Sequence, residues 1–163
     1  MLHHNFEPDS VNHLFNQLND KANQVYKFAM LYNDYMSEKH DYGTGQLINM
    51  VEVHTLTAIE DNPGITTSQL ASMWNRTNSA LSQTATKLEK KGYITRVKDS
   101  DNARNVKLNV TPQGRALSIA HKAYDAVDVT QTLHELNRSC TIEEIDHFFK
   151  VITHYIQLLE KGG

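Results

Sequence analysis

From Ser10 to Glu38 the apolar residues Val11, Leu14, Phe15, Leu18, Ala22, Val25, Ala29, Tyr32 and Met36 recur in steps of three and four. That spacing predicts one long amphipathic helix, with Phe28, Leu31 and Tyr35 widening its apolar face. A stripe so long and broad exceeds what one small core needs, and it suits a partner helix as well. Two glycines in "HDYGTGQ" (40 to 46) break the helix. Asn49 then reads as the cap of a second helix, with Glu52 in capping-box position and Pro63-Gly64 as the stop. Thr66 and Gln69 repeat the device, and that helix ends at Asn75, a residue that tolerates left-handed backbone. Thr77 caps the next helix, which stops at Gly92.

After Gly92 the period changes. "YITRV" and "VKLNV" alternate apolar and polar residues, which predicts two short strands around the hydrophilic turn "KDSDNARN". Thr111-Pro112 opens a helix through about His134, because proline suits the first helical turn. "NRSC" breaks it. Thr141 with Glu144 caps a final helix striped by Ile145, Phe148, Phe149, Ile152, Ile156 and Leu159. The predicted fold is mainly α with a small β-hairpin wing, a winged helix-turn-helix. Its expected parts are an N-terminal helix region (1–45), the winged lobe (46–111) and C-terminal helices (112–163).

The net charge of −3 argues against a nucleic-acid partner until its distribution is considered. Residues 63–115 hold nine Lys/Arg against three acids, so that block is +6. The remainder holds seven against sixteen, or −9. One lobe is built to meet an anion and the rest is not. No apolar run approaches the ~20 residues that span a bilayer, and the N-terminus lacks a signal pattern. A single cysteine forms no internal disulfide, which points to a cytoplasmic protein with no membrane association.

The helix after Thr77 is unusual in its polar face. With Leu81, Ala85 and Leu88 turned to the core, the opposite side carries Ser79, Gln83, Thr86 and Lys90, flanked by Ser82 and Lys87. A merely soluble helix would favour Glu and Lys there. Short hydroxyl and amide groups instead fit base edges in a major groove. Arg76, Lys87 and Lys90 suit the adjoining phosphates, and Thr77 and Asn78 at the helix start are also expected among the DNA contacts.

The stretch "TTSQLASMWNRTNSALSQTATKLEKKGYITRVKDSDNARNVKLNVTPQGR" resembles the core of MarR-type transcriptional regulators. The resemblance lies in "QLA", the "LEKKGYI" helix end, and the "DSDNAR" wing followed by "LNVTPQG". It implies an intertwined homodimer whose first and last helices interlace while the winged lobes contact double-stranded DNA. It also implies a ligand-responsive repressor on a pseudo-palindromic operator, released when a small molecule binds between lobe and dimer region. Counted back from Thr111, Arg104 matches the arginine that such proteins place in the minor groove, with Asp99 or Asp101 to brace it. The sequence departs from the family pattern at Asn75, often glycine, and at Arg76, often apolar. Its wing reads Asn102-Ala103-Arg104 where Asp-Arg-Arg is frequent.

Phe28, Tyr32, Tyr35 and His54 are the expected lining of a pocket for an organic or lipid-like effector. The rival is dimer core for the aromatics and zinc on His54, His121 and Asp125, a set that resembles the ligand region of zinc-sensing relatives. Imidazole and carboxylate are acceptable zinc ligands, but the expectation from sequence is no metal and no cofactor. None of the nine histidines sits in an HExxH or zinc-finger pattern. His147 and His154 share a helix face without further ligands. Cys140 reads as a small loop residue and Trp74 as a core anchor. No nucleophile elbow, phosphate loop or acid–base set appears, so no enzyme is expected. Two other classes stay open: a winged-helix module that binds protein without DNA, and a small enzyme in the dimer cleft.

Overall fold

The computed structural model describes residues 8–98 and 106–161. Within them the chain forms α1 (Pro8–Ser37), β1 (Lys39–Asp41), β2 (Leu47–Asn49), α2 (Met50–Asp61) and α3 (Thr67–Met73). It continues with α4 (Asn78–Lys90), β3 (Ile94–Lys98), β4 (Val106–Val110), α5 (Pro112–Leu136) and α6 (Ile142–Lys161).

The helix starts follow from their caps. Side-chain oxygens of Asn49, Thr66, Thr77 and Thr111 accept the backbone N–H groups of Glu52, Gln69, Ala80 and Gly114 at 2.8 to 3.2 Å. Each satisfies a first-turn donor that would otherwise lack a partner. Reciprocal boxes close at Thr66, whose N–H donates to Gln69 Oε1 (2.9 Å), and at Thr141, whose N–H donates to Glu144 Oε2 (2.8 Å). The box expected at Asn49 forms only by half. Glu52 turns away to Lys91, with Nζ at 2.6 Å, because a tertiary ion pair at a buried carboxylate outweighs a local cap. Gly92, at φ 78°, ends α4: its N–H reaches Glu89 O and the Tyr93 N–H reaches Leu88 O, the paired bonds of a left-handed helix stop.

The segment 40–46 is more than the break read from its glycines. β1 and β2 pair antiparallel from Lys39↔Asn49 to Asp41↔Leu47. Asp41 Oδ1 accepts the N–H groups of Thr44 (2.9 Å) and Gly45 (3.0 Å), tying the loop together. Strands of three residues are too short to show a period, so the hairpin left no pattern.

β3 and β4 pair antiparallel from Ile94↔Val110 to Lys98↔Val106. The connection between α2 and α3 joins this hairpin through Gly64 N to Leu108 O (3.0 Å) and Leu108 N to Ile65 O (2.9 Å). The core lies around α2, where Val53, Leu56 and Ile59 are fully buried. Leu70 of α3, Ala85 and Leu88 of α4, Tyr93, Leu108, and Leu117 of α5 close over it.

The long helices behave differently. Among the described residues α6 buries none of its side chains, and Phe148 and Phe149 are each 49% exposed. On α1, Leu14, Phe15 and Leu18 are exposed too, and they line a shallow apolar groove with Val11 and Ala22. α1 meets the lobe near its C-terminal end, where the Tyr35 hydroxyl donates to Asp128 Oδ2 of α5 at 3.0 Å.

Candidate nucleic-acid interface and a neighbouring histidine cluster

α4 turns Leu81, Ala85 and Leu88 into the core, which fixes its outer face. Arg76, Thr77, Asn78, Ser79, Gln83, Lys87 and Lys90 are exposed, and Ser82 is half-buried at the edge. Thr77 carries the cap and Asn78 Nδ2 donates to Ser68 Oγ (3.2 Å), so the start of α4 is held to α3. Asn75 adopts the left-handed conformation expected of it, at φ 48°. Lys87 is 63% exposed and only grazes Glu52 at 4.0 Å, leaving its ammonium to solvent.

Thr86 differs from the expectation. Its hydroxyl donates to Ser82 O (2.8 Å) and accepts from Arg96 Nη2 (2.8 Å). Arg96 Nη2 also reaches Ser82 O (3.3 Å), and its Nε lies 3.2 Å from Glu89 Oε2. Thr86 therefore belongs to a brace between β3 and α4, not to the free reading face. In the sequence Arg96 reads as one more basic residue. The signal was its two-residue offset from Ile94, which puts both on the strand face that packs against α4. Arg104, with Asp99, Asp101, Asn102 and Ala103, lies outside the described residues.

Behind the lobe, His54 of α2 meets His121 and Asp125 of α5. The ligand-capable atoms of these three lie within 4.8 Å of one another. Asp125 Oδ2 is 3.1 Å from His121 Nε2 and 3.7 Å from His54 Nε2. Neither imidazole Nε2 is in hydrogen-bond geometry with any partner, although both are buried. Burial holds the His121 imidazole below its usual pKa, with Asp125 pulling the other way. His121 Nδ1 faces Thr57 Oγ1 at 3.3 Å, and Ser118 Oγ lies between Thr57 Oγ1 (3.0 Å) and Glu60 Oε2 (2.6 Å).

Glu60 also accepts from Lys122 Nζ (3.1 Å). The Ser118 bond, then Lys122, hold its carboxyl below the ordinary value against the opposing effect of burial. A depressed carboxylate contributes stability that is present above its unfolded pKa and lost as pH falls through the folded one. Glu60→Gln is therefore expected to lower stability at pH 7, with the gap to the parent closing on acidification below about pH 4. Urea melts across pH 3 to 7 measure this; a gap that stays constant with pH refutes it.

Residues 48–106 match the MarR family. The matched stretch runs from the buried Ile48 to the first residue of β4, and so contains α4. Over this stretch the lobe is similar to MarR-family domains. Over 84 residues the chain is 33% identical to an uncharacterized HTH-type transcriptional regulator, YhjH, of Bacillus subtilis (strain 168). That alignment covers 52% of this chain and 48% of the relative, about half the length of each. Among solved structures, FabT of Streptococcus pneumoniae in complex with DNA superposes with a TM-score of 0.63 at 23% identity, over 91% of this chain and 99% of that one. The MarR family transcription regulator SP03579 superposes with 0.64 at 20% identity, over 90% and 99%. Identities this low establish the fold: mainly α with a winged hairpin, as the sequence predicts.

The expected pocket residues are spread along α1 and α2 of the described residues. Phe28 and Tyr32 stack at 5.7 Å on the exposed side of α1. Tyr35 is turned to Asp128, and burial followed by that bond raises its phenol well above the usual range. His54 sits farther along, edge-on to Trp74 at 6.0 Å and to His121 at 4.7 Å. His40 and Tyr42 bridge the two groups, with Tyr42 pushed up to about 12 by burial and by Asp125. Trp74, half-exposed at the end of α3, is less deeply set than a core anchor. Cys140 is exposed in the turn before α6, and no described helix is long and apolar enough to cross a membrane.

Proposed function

We propose that this protein is a sequence-specific transcriptional regulator that binds a pseudo-palindromic operator as a homodimer and responds to a bound ligand. The observation carrying this reading is the outer face of α4, polar and basic, with its one carboxylate, Glu89, paired to Arg96 of the hairpin beside it. A module that binds only protein would present an apolar or acidic face there. On this reading the chain divides its labour among 1–45, 46–111 and 112–163: a winged lobe whose core is closed by Tyr42 and Leu117 from the flanking parts, and helices whose exposed apolar rows suit a second copy. Two-fold symmetry places half-sites about one helical turn, roughly 10 bp, apart.

The test is selection and sequencing of DNA fragments by the purified protein, repeated with variants. Gln83→Ala or Ser79→Ala is expected to relax preference at particular bases by ~1–3 kcal/mol. Lys87→Ala or Lys90→Ala should weaken binding to all sequences alike and reduce the salt slope by about one. The assignment of Arg104 to the minor groove belongs with the second class. Identical binding-site logos and salt slopes for the two classes refute the assignment. A monomer at micromolar concentration that ignores genomic fragments at low salt refutes the whole reading.

A specific observation favours a divalent metal as the ligand over an organic effector among Phe28, Tyr32, Tyr35 and His54. His54, His121 and Asp125 converge, and both buried Nε2 atoms lack hydrogen-bond partners. Two imidazoles and a carboxylate would hold a borderline ion such as zinc, leaving a fourth position for water. Metal content after mild purification, and DNA affinity with zinc or a strong chelator, separate the readings. Stoichiometric zinc that controls DNA binding and is lost in His121→Ala supports the metal.

A further inference from the structure

We infer that Glu60, Ser118 and Thr57 form a hydrogen-bond relay that assigns the proton on His121, holding it at Nδ1 and delivering Nε2 as the lone pair turned toward His54 and Asp125. Ser118 has one hydroxyl hydrogen and two neighbouring oxygens, Glu60 Oε2 at 2.6 Å and Thr57 Oγ1 at 3.0 Å. Glu60, held ionised beside Lys122, can only accept, and it is the nearer, so the Ser118 hydrogen belongs to it. The Ser118–Thr57 contact then needs the hydrogen of Thr57. That spends Thr57's only donor, and toward His121 Nδ1 at 3.3 Å its oxygen can only accept. Nδ1 must therefore carry the hydrogen.

The consequence appears at the opposite ring edge. With Nδ1 fixed as the donor, the neutral imidazole has no hydrogen at Nε2, where Asp125 Oδ2 stands at 3.1 Å without hydrogen-bond geometry. A lone pair and a carboxylate facing each other at that distance form a cation-binding edge. A partner that fixes the tautomer of a ligating histidine also raises its basicity, and its loss costs roughly 10–100-fold in metal affinity. This consequence for metal rests on the metal reading above; the position of the proton does not.

The two relay hydroxyls make opposite predictions from a mere packing role. In Thr57→Val the Nδ1 hydrogen loses its acceptor. In Ser118→Ala the Thr57 hydroxyl is released from Ser118 and is free to donate into Nδ1, which drives the ring hydrogen to Nε2 and Asp125. Thr57→Ser keeps the hydroxyl and should behave as the parent. The full chain, labelled with 15N at histidine and metal-free, is examined by two-bond 1H–15N correlation at a pH where the imidazole is neutral. The expected result is Nδ1–H in the parent and in Thr57→Ser, and a shift to Nε2–H in Ser118→Ala. Zinc affinity by chelator competition should fall roughly 10–100-fold in Ser118→Ala and Thr57→Val. An Nε2–H tautomer in the parent, or one unchanged in Ser118→Ala, overturns the relay. A parent that fails to bind zinc overturns the metal reading, and the tautomer spectra still decide the relay.

Discussion

Replacing Phe148 and Ile156 by glutamate is expected to yield a monomer that has lost operator binding. Both residues belong to the apolar row of α6, and in the single chain they are 49% and 50% exposed. None of the described residues buries α6, and α1 leaves Leu14, Phe15 and Leu18 equally uncovered. An apolar surface of this extent marks an interaction site in a water-exposed protein. Each large side chain buried in an interface contributes about 1.5–3 kcal/mol. Under two-fold symmetry every substitution acts twice, and a new carboxylate is buried or meets its own copy. Losing the second half-site removes the effective-concentration gain, so DNA affinity should fall by ~100-fold or more. Sedimentation velocity reads the first effect and a gel shift on the selected operator the second. A variant that remains dimeric at micromolar concentration, or binds the operator as before, refutes the interface.

Much of this arrangement was legible because it is written in local chemistry. Thr66, Thr77, Thr111 and Thr141 announce helix starts through hydroxyls that need only the next three residues. Gly92 and Asn75 mark stops through backbone conformations that few other residues adopt. What escaped depends on partners distant in sequence. Glu52 reads as a capping residue until Lys91, thirty-nine residues later, claims its carboxylate. Thr86 reads as a base contact until Arg96 folds back across β3. The convergence of His54 with His121 and Asp125 came only from resemblance, since nothing local says that α2 and α5 cross at those turns. The β1–β2 hairpin fell below the length at which alternation can be seen.

Gly114→Ala should be the most damaging single-methyl substitution within the lobe. Gly114 is buried in the first turn of α5, where its N–H donates to the capping Thr111 hydroxyl at 3.1 Å. The same hydroxyl donates to Gly92 O (2.7 Å), and the Thr111 N–H reaches Tyr93 O (2.9 Å). These bonds press the start of α5 onto the chain entering β3, so closely that a Cβ at 114 would overlap the Tyr93 carbonyl. The obstacle is backbone on both sides, and no flexible side chain can move aside. Relief requires α5 to withdraw and break the Thr111 contacts, or Tyr93 to shift out of the core, where it is 2% exposed. Overpacking of this kind costs on the order of 3 kcal/mol, a drop of roughly 6–12 °C in the thermal midpoint for a chain of this size. Gly92→Ala provides the comparison. Its Cβ would meet only Gln113 Oε1 at 3.5 Å, so its penalty is the left-handed backbone alone, about 1–2 kcal/mol. Thermal melts of the two variants should rank Gly114→Ala well below Gly92→Ala, and equal midpoints would show that α5 does not sit this close to β3.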